Sequence, residues 1–191
     1  DPEGGSILVD GREISAWKKA DLRRAFGVVL QDSWLFSGTV RDNLLYAKPE
    51  ADEESIARAL RISGAAETIA RLPGGLDAAV LEGGRNLSMG ERQLIALARA
   101  ILAEPSFLIL DEATSAIDAQ TELRIQAGMF AMMEGRTSVI IAHRLSTIRD
   151  VDRIMVVDAG KVVEDGDHDS LIADGGWYAA LVAAQAGGIE T

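Results

Sequence analysis

The stretch LSMGERQLIALARAILAEPSFLILDEATSAID, residues 87–118, decides the fold class of this chain. Ser88 followed three residues later by Glu91 is a capping-box pattern, which predicts a helix that begins just after Ser88. Apolar residues at helical spacing give this helix one apolar face: Leu94, Leu97, Ala98, Ile101 and Leu102. Pro105 ends the helical pattern.

A short apolar strand follows. Residues 107–110 read FLIL, as expected for a strand buried on both faces of a parallel sheet, and the run ends on Asp111 and Glu112. Acidic residues at the carboxyl end of such a strand lie where open α/β sheets bind their ligands. Both the capping pattern and the acidic strand end also have an ordinary structural explanation, since helix caps and polar strand ends occur in proteins without any catalytic or binding role there.

The length, net charge and amino-acid composition exclude several classes of protein. The 191 residues suit one domain with a real core. The formal net charge of −11 would repel a phosphate backbone, so we expect no nucleic-acid partner. No cysteine is present, which excludes disulfides and thiolate metal sites. No apolar run reaches the roughly 20 residues of a membrane span, and the first residues lack signal-peptide features, so we expect a soluble domain.

The rest of the chain alternates predicted strands and helices. Phe26 to Leu30 is a β-type run that ends on Gln31, and Thr137 to Ala142 is another that ends at His143. The remaining predicted elements are a hairpin over 6–14, a short helix over 21–25, helices between 39 and 72, a loop over 74–86, a helix over 119–134, a strand pair over 154–164, and helices over 169–173 and 177–185.

Four segments together resemble the ATP-binding-cassette (ABC) ATPase family, and the exporter type within it. They are VVLQDSWLFSGTVRDNL from residue 28, LSMGERQ from residue 87, FLILDEATSAID from residue 107 and IIAHR from residue 140. The resemblance implies an α/β fold with a P-loop NTPase-like sheet core. It also implies that residues 1–191 form a single domain. Within this domain, residues at about 40–102 would form an inserted α-helical signature subdomain, and the remainder would form the sheet core.

Hydrolysis of ATP needs charge neutralisation, a positioned water and a group that takes its proton. Asp111 is suited to hold Mg²⁺ through oxygen, and the resemblance adds Gln31 as a second group that reaches the metal and the attacking water. Glu112 is the candidate general base. His143 would donate a hydrogen bond to the γ-phosphate, a role implied by its TSVIIAHRLST context.

Ser88, Gly90 and Glu91 begin the predicted helix, and a helix N-terminus is a ready anion site. The resemblance implies that this site binds the nucleotide held by a second nucleotide-binding domain in a head-to-tail dimer, with Asp118 at the seam. The family pattern is LSGGQ, whereas this chain has LSMGE. Met89 adds bulk and Glu91 adds negative charge, with Arg92 placed to offset it, so we expect a weakened site.

The resemblance further implies a transmembrane domain, on the same or a partner chain, as the second partner. Trp34 to Phe36 would lie near its coupling helices; alternatively, these side chains belong to a core under a loop. The loop over 81–86, LEGGRN, resembles a further contact with that domain. The expected location is the cytoplasmic face of a membrane.

The sequence lacks a P-loop, GxxxxGK[ST], which supplies phosphate-binding amides and a lysine. We therefore expect an N-terminally truncated domain that binds ATP weakly or not at all by itself. The leading hypothesis is the motor domain of an exporter. A catalytically silent fragment or dimerising module is the alternative, which nucleotide binding would exclude. A soluble ABC ATPase of DNA repair or translation is disfavoured by the net charge and the exporter-type glutamine segment.

Overall fold

The computed structural model of the protein describes residues 2, 4–30, 33–111, 117–142 and 145–187. The chain divides into two compact units, residues 1–141 and residues 142–191. Each unit has an apolar core of its own. Within the described ranges, no helix combines the length and the apolar composition that crossing a membrane requires.

The first unit alternates short strands with helices. Its strands are β1 (Leu8–Val9), β2 (Arg12–Glu13), β3 (Phe26–Val29), β4 (Gly38–Thr39), β5 (Ala79–Val80), β6 (Phe107–Asp111) and β7 (Thr137–Ile141). Its helices are α1 (Lys19–Ala25), α2 (Val40–Leu45), α3 (Glu53–Ser63), α4 (Ala66–Arg71), α5 (Met89–Leu102) and α6 (Ala119–Met133). Short 3-10 turns lie at Ile14–Ala16, Gly75–Asp77 and Glu82–Gly84.

This unit contains a parallel sheet in the order β3–β6–β7. Phe26 pairs with Phe107, and Phe107 pairs with Thr137, so the three strands run in step. This arrangement confirms the predicted α/β class with a sheet core. Because the strands are parallel, their carboxyl ends meet at one edge of the sheet.

One face of the sheet is buried and the other is open among the described residues. The buried face carries Val29, Leu108 and Leu110. On the opposite face, Val28 and Val139 are exposed, and Ile109 between them is only partly buried. The prediction that the strand of residues 107–110 is buried on both faces is therefore wrong, since no element in the described part of the chain covers its second face.

Helix α5 lies at the centre of the apolar core. Its predicted apolar face is buried throughout, together with Ile95: Leu94, Leu97, Ala98, Ile101 and Leu102. Helices α3 and α6 pack against it and against each other. At Gly128 of α6 a Cβ atom would lie 2.8 Å from Leu97 Cδ2 and 2.9 Å from the carbonyl oxygen of Ser63. The absence of a side chain at residue 128 therefore sets how closely the three helices approach.

Four helices, α2 to α5, fall within residues 40–102. The antiparallel pair β4–β5 accompanies them and lies partly in the stretch 74–86 that was predicted as a loop. The assignment of 40–102 as a helical subdomain stays a prediction, as does the assignment of 1–191 as one domain.

The second unit consists of α7 (Leu145–Ile148), β8 (Ile154–Asp158), β9 (Lys161–Gly166), α8 (His168–Asp174) and α9 (Trp177–Gly187). Strands β8 and β9 form the predicted antiparallel pair. Glu164 of β9 accepts hydrogen bonds from the backbone N–H groups of Trp177 and Tyr178, at 2.5 and 2.9 Å. A carboxylate from a strand thus satisfies the free donors at the start of α9.

Candidate functional site

The three strands of the parallel sheet end at one edge, and the predicted catalytic residues come directly after these strand ends in the sequence. Val29, Asp111 and Ile141 are the last residues of the three paired strands. Gln31, Glu112 and His143 come one or two residues after these strand ends and lie outside the described residues. Their catalytic roles therefore stay predictions, and the strand ends that precede them lie at one edge.

Asp111 is the predicted site residue at this edge whose position is described. It ends the central strand opposite Ile141 and is partly exposed. Its carboxylate makes no hydrogen bond or ion pair among the described residues. A partly exposed carboxylate fits the oxygen ligands that Mg²⁺ prefers. No group of three His, Cys, Asp or Glu residues within the described ranges could hold a metal, so Asp111 would need further ligands.

The start of α5 carries the predicted capping box. The Ser88 hydroxyl oxygen accepts from the Glu91 backbone N–H at 3.3 Å, and Glu91 Oε2 accepts from the Ser88 backbone N–H at 2.7 Å. The Glu91 carboxylate is therefore held against a donor that an approaching anion would also use. This contact supports the expectation of a weakened anion site.

Arg92 makes no ion pair with that carboxylate among the described residues. Its Nη1 donates to the carbonyl oxygens of Leu87 and Gly84, at 2.7 and 3.5 Å. The guanidinium is thus engaged by the backbone that precedes the helix. The predicted compensation of the Glu91 charge by Arg92 stays a prediction, since no described hydrogen bond or ion pair joins the two side chains.

The start of α6 lies beside the start of α5. At Gly90 a Cβ atom would lie 2.6 Å from Thr121 Cγ2 and 3.4 Å from Ile117 Cγ2. Asp118 caps α6, because its Oδ1 accepts from the Thr121 backbone N–H at 2.9 Å. The hydrogen bonds from Thr121 lower the pKa of Asp118, so this carboxylate stays ionised in mildly acidic solution. The structure therefore brings the four predicted nucleotide-binding residues to two adjacent helix N-termini: Ser88, Gly90, Glu91 and Asp118.

We expect the Ser88→Ala substitution to lower the free energy of unfolding by about 1 kcal/mol, because the Glu91 N–H loses its acceptor. Glu91→Gln should change it by less than about 0.5 kcal/mol, because an amide oxygen can still accept from the Ser88 N–H. Urea denaturation measures both values. Ser37→Ala is the matched control, since Ser37 is exposed outside the helices. Equal losses in Ser88→Ala and Ser37→Ala would contradict the capping role.

The segment that follows Gln31 exposes two of its three apolar side chains. Leu35 is buried, whereas Trp34 is 57% exposed and Phe36 is 41% exposed. The core alternative is confirmed for Leu35, whereas the contact of Trp34 and Phe36 with a partner stays a prediction. The buried side chain of Asn43 fixes the backbone here, because it accepts from the Phe36 N–H at 2.8 Å and donates to the Phe36 carbonyl at 2.9 Å.

The loop over 81–86 lies against the same segment. The Gly83 N–H donates to the Leu35 carbonyl at 2.9 Å, and a Cβ atom at Gly83 would lie 3.3 Å from Trp34 Cζ3. A cavity of about 480 Å³ lies beside the Trp34 ring. Its lining comes from this loop, from the Trp34 segment and from the first turns of α5: Ser33, Trp34, Glu82, Gly83, Arg85, Met89, Arg92 and Gln93.

Sequence reasoning missed Arg99 and Tyr46. Arg99 Nη2 donates to the Trp34 carbonyl at 3.0 Å, and its guanidinium carbon lies 5.8 Å from the centre of the Phe36 ring. Burial lowers the pKa of Arg99. Tyr46 is 68% exposed, with its ring centre 4.5 Å from that of Phe36. The signal for Arg99 was one arginine inside the otherwise apolar run LIALARAIL.

Two curated relatives align with most of this sequence. The cyclolysin secretion/processing ATP-binding protein CyaB of Bordetella pertussis is 49% identical over 183 residues, which cover 96% of this chain and 26% of that protein. The fatty acid ABC transporter ATP-binding/permease protein of Mycobacterium bovis is 47% identical over 180 residues, which cover 94% of this chain and 28% of that protein. The chain thus spans less than a third of the length of these relatives.

A solved structure described as a bacterial Atm1-family ABC exporter with ATP bound matches the fold with a TM-score of 0.89. The match has 44% sequence identity and covers 97% of this chain and 32% of that chain. This likeness confirms the predicted fold class. A family model described as ABC transporter matches residues 1–115, more than half of the sequence. The chain therefore belongs to the ABC transporter family.

Proposed function

We propose that this chain is part of the ATP-hydrolysing motor of an exporter, which couples ATP hydrolysis to the transport of a substrate across a membrane. The observation that carries the proposal is the sheet edge: three parallel strands end together, and Gln31, Glu112 and His143 follow these ends in the sequence. The names of the relatives support it, because they describe secretion, fatty-acid transport and an ATP-bound exporter.

Asp111 and the three residues that follow the strand ends in the sequence have separate roles in the proposed reaction. Asp111 and Gln31 would hold Mg²⁺, which supplies positive charge that neutralises the phosphate oxygens when it is bound. Glu112 accepts the proton of the attacking water as general base. Gln31 also orients this water, and His143 donates a hydrogen bond to the γ-phosphate.

A second nucleotide-binding domain in a head-to-tail dimer would complete the nucleotide-binding site. Ser88 and the backbone around Gly90 would bind the phosphates held by the other domain, because the start of α5 is a helix N-terminus. Glu91 tunes this contact through the Ser88 N–H, and Asp118 would lie at the dimer seam beside it. The adjacency of the α5 and α6 starts supports placing all four residues at one interface.

The other proposed partner is a transmembrane domain on the same or a partner chain. The exposed rings of Trp34 and Phe36 support a docking surface beside the sheet edge. The permease part of one relative's name supports the same partner. In this arrangement the chain acts at the cytoplasmic face of the membrane, and nucleic acid is not among its partners.

A complementation experiment with the whole protein tests the composite site. Ser88→Arg places a long side chain in the helix-terminus site, and Glu112→Gln removes the base, so we expect each variant alone to lose about 100-fold or more in ATP hydrolysis. In mixed assemblies of the two variants, one site contains neither change. We expect these assemblies to recover to roughly half of the unmodified rate if the dimer is two-fold symmetric. No recovery would contradict the head-to-tail site.

A further inference from the structure

Gln31, which the proposed reaction uses, belongs in sequence to a short connection between two points where the backbone is held. Before it, Val29 ends β3 and is paired with β6 in the parallel sheet. After it, the carbonyl oxygen of Trp34 accepts a hydrogen bond from Arg99 Nη2 at 3.0 Å. The connection consists of residues 30–33. A connection this short has few conformations when both of its ends are held, so each held end restricts the position of Gln31.

Hydrogen bonds from three groups hold the backbone of residues 34–36. Arg99 holds the carbonyl of the first residue, the Gly83 N–H donates to the carbonyl of the second at 2.9 Å, and the side chain of Asn43 bonds both backbone groups of the third. The contact from Arg99 is the one nearest to Gln31 in the sequence. Its loss would release the end of the segment that adjoins Gln31, while the other two contacts keep the rest of the segment in place.

Packing alone does not account for an arginine at residue 99. Arg99 is the one charged residue in LIALARAIL, the apolar run over 94–102 of helix α5. Its Nη1 is buried and has no hydrogen-bond partner in the described part of the chain. A buried charged donor without an acceptor costs free energy, and an apolar side chain of similar length would avoid that cost. What the guanidinium adds to packing is the hydrogen bond to the Trp34 carbonyl.

We infer that Arg99 is a positioning residue for Gln31. By holding the Trp34 carbonyl, its guanidinium fixes the end of the connection that places the Gln31 side chain for its roles at Mg²⁺ and the attacking water. Arg99 acts through the backbone and does not touch the reacting atoms. The inference rests on the proposed function, because the roles of Gln31 belong to it, and it adds a side chain of the core helix α5 to the residues on which hydrolysis depends.

A cycle of single and double variants in the whole protein tests this inference. Arg99→Met removes the donor but keeps an apolar side chain of similar length, and it is made alone and together with Gln31→Ala. Arg61→Met is the matched control, because Arg61 is exposed on α3 and its side chain makes no hydrogen bond or ion pair in the described ranges. The measurements are kcat and KM for Mg-ATP, the urea midpoint, and hydrogen exchange over residues 30–36 without nucleotide.

We expect Arg99→Met to lower kcat about three- to tenfold, the range for the loss of one hydrogen bond, with KM within about twofold. In the Gln31→Ala background the same substitution should change kcat by less than about twofold, because Arg99 acts through Gln31. Hydrogen exchange over residues 30–36 should quicken by about threefold or more in Arg99→Met. The urea midpoint should not fall, because methionine removes a buried donor that lacks a partner. Arg61→Met should match the unmodified protein in all four measurements.

Several results would overturn the inference and leave the proposed function in place. They are full turnover in Arg99→Met, an equal fold-loss of kcat from this substitution with and without Gln31→Ala, unchanged hydrogen exchange over residues 30–36, and a fall in the urea midpoint that accompanies the loss of turnover. The last of these would show a role in stability alone. Full turnover in Gln31→Ala is a separate outcome, since it would remove the role of Gln31 in the proposed function and the inference with it.

Discussion

The Glu112→Gln substitution is expected to lower the turnover of Mg-ATP in the whole protein by about 10²- to 10⁴-fold, the usual contribution of a general base. Glutamine has nearly the size and shape of glutamate, but its amide cannot accept the proton of the attacking water. Nucleotide affinity should change little, since Glu112 acts on the water and not on the bound phosphates. Single-turnover hydrolysis and equilibrium binding of ATP separate these two quantities.

Glu134→Gln is the matched control, because Glu134 is exposed directly after α6 and the same charge is removed. It should retain nearly the full rate. Turnover of Glu112→Gln above about a tenth of the unmodified value would exclude the role of general base, since that loss is below the range for such a group. A parallel loss of ATP affinity would instead indicate a role in binding.

The Gly128→Ala substitution is expected to lower the free energy of unfolding by about 2 kcal/mol, although alanine is the better helix former by about 1 kcal/mol. The new methyl group would lie 2.9 Å from the Ser63 carbonyl oxygen and 3.0 Å from Ser63 Cα. Both are backbone atoms of a neighbouring helix, so relief requires α3 and α6 to move apart. Overpacking therefore outweighs helix propensity at this position.

Two further variants separate the contribution of helix propensity from that of overpacking. Chemical denaturation measures the free energy of unfolding of these two variants and of Gly128→Ala. Ala127→Gly at the adjacent exposed position of α6 reports the propensity term alone, and should cost roughly 1 kcal/mol. Gly128→Ala combined with Leu97→Val shortens the other close neighbour, Leu97 Cδ2, but leaves the Ser63 contacts in place. This double variant should stay destabilised. A stabilising effect of Gly128→Ala would show that the helices separate easily.

The elements with strong local patterns were predictable. Ser88 and Glu91 placed the start of α5 correctly, because a capping box is a contact between residues three apart. The turn at Asp10 and Gly11 joins β1 and β2 within the predicted hairpin over 6–14, with φ angles of 50° and 72° that suit a tight hairpin. The parallel sheet followed from short apolar runs separated by helices.

Other features depend on distant parts of the chain and left little local pattern. Strands β4 and β5 have two residues each, too few for an alternation of apolar and polar side chains to be visible. The hydrogen bonds from the Arg92 guanidinium to the carbonyls of Leu87 and Gly84 also left no signal in the sequence. The open face beside Ile109 has the same origin, since an apolar run does not indicate how many of its sides are covered.

Within the candidate site, the apolar runs predicted where the strands end, and the family resemblance predicted the catalytic and binding roles of the residues. Spacing alone did not show that Gly90 lies against Thr121, which joins the starts of α5 and α6. Nor did it show that Arg99 contacts the segment after Gln31, because that contact links residues 65 positions apart. Such contacts follow from helix packing, which a single sequence does not specify locally.

The order of strands in the parallel sheet also bears on how the chain folds. Strand β3 pairs with β6, although helices α2 to α5 lie between them in the sequence. Closing so long a loop costs entropy before any pairing energy is gained, whereas helical turns form from neighbouring residues. Helix formation should therefore precede the β3–β6 pairing. Until that pairing occurs, the apolar strand of residues 107–110 is an unpaired edge at which a growing chain can associate with others.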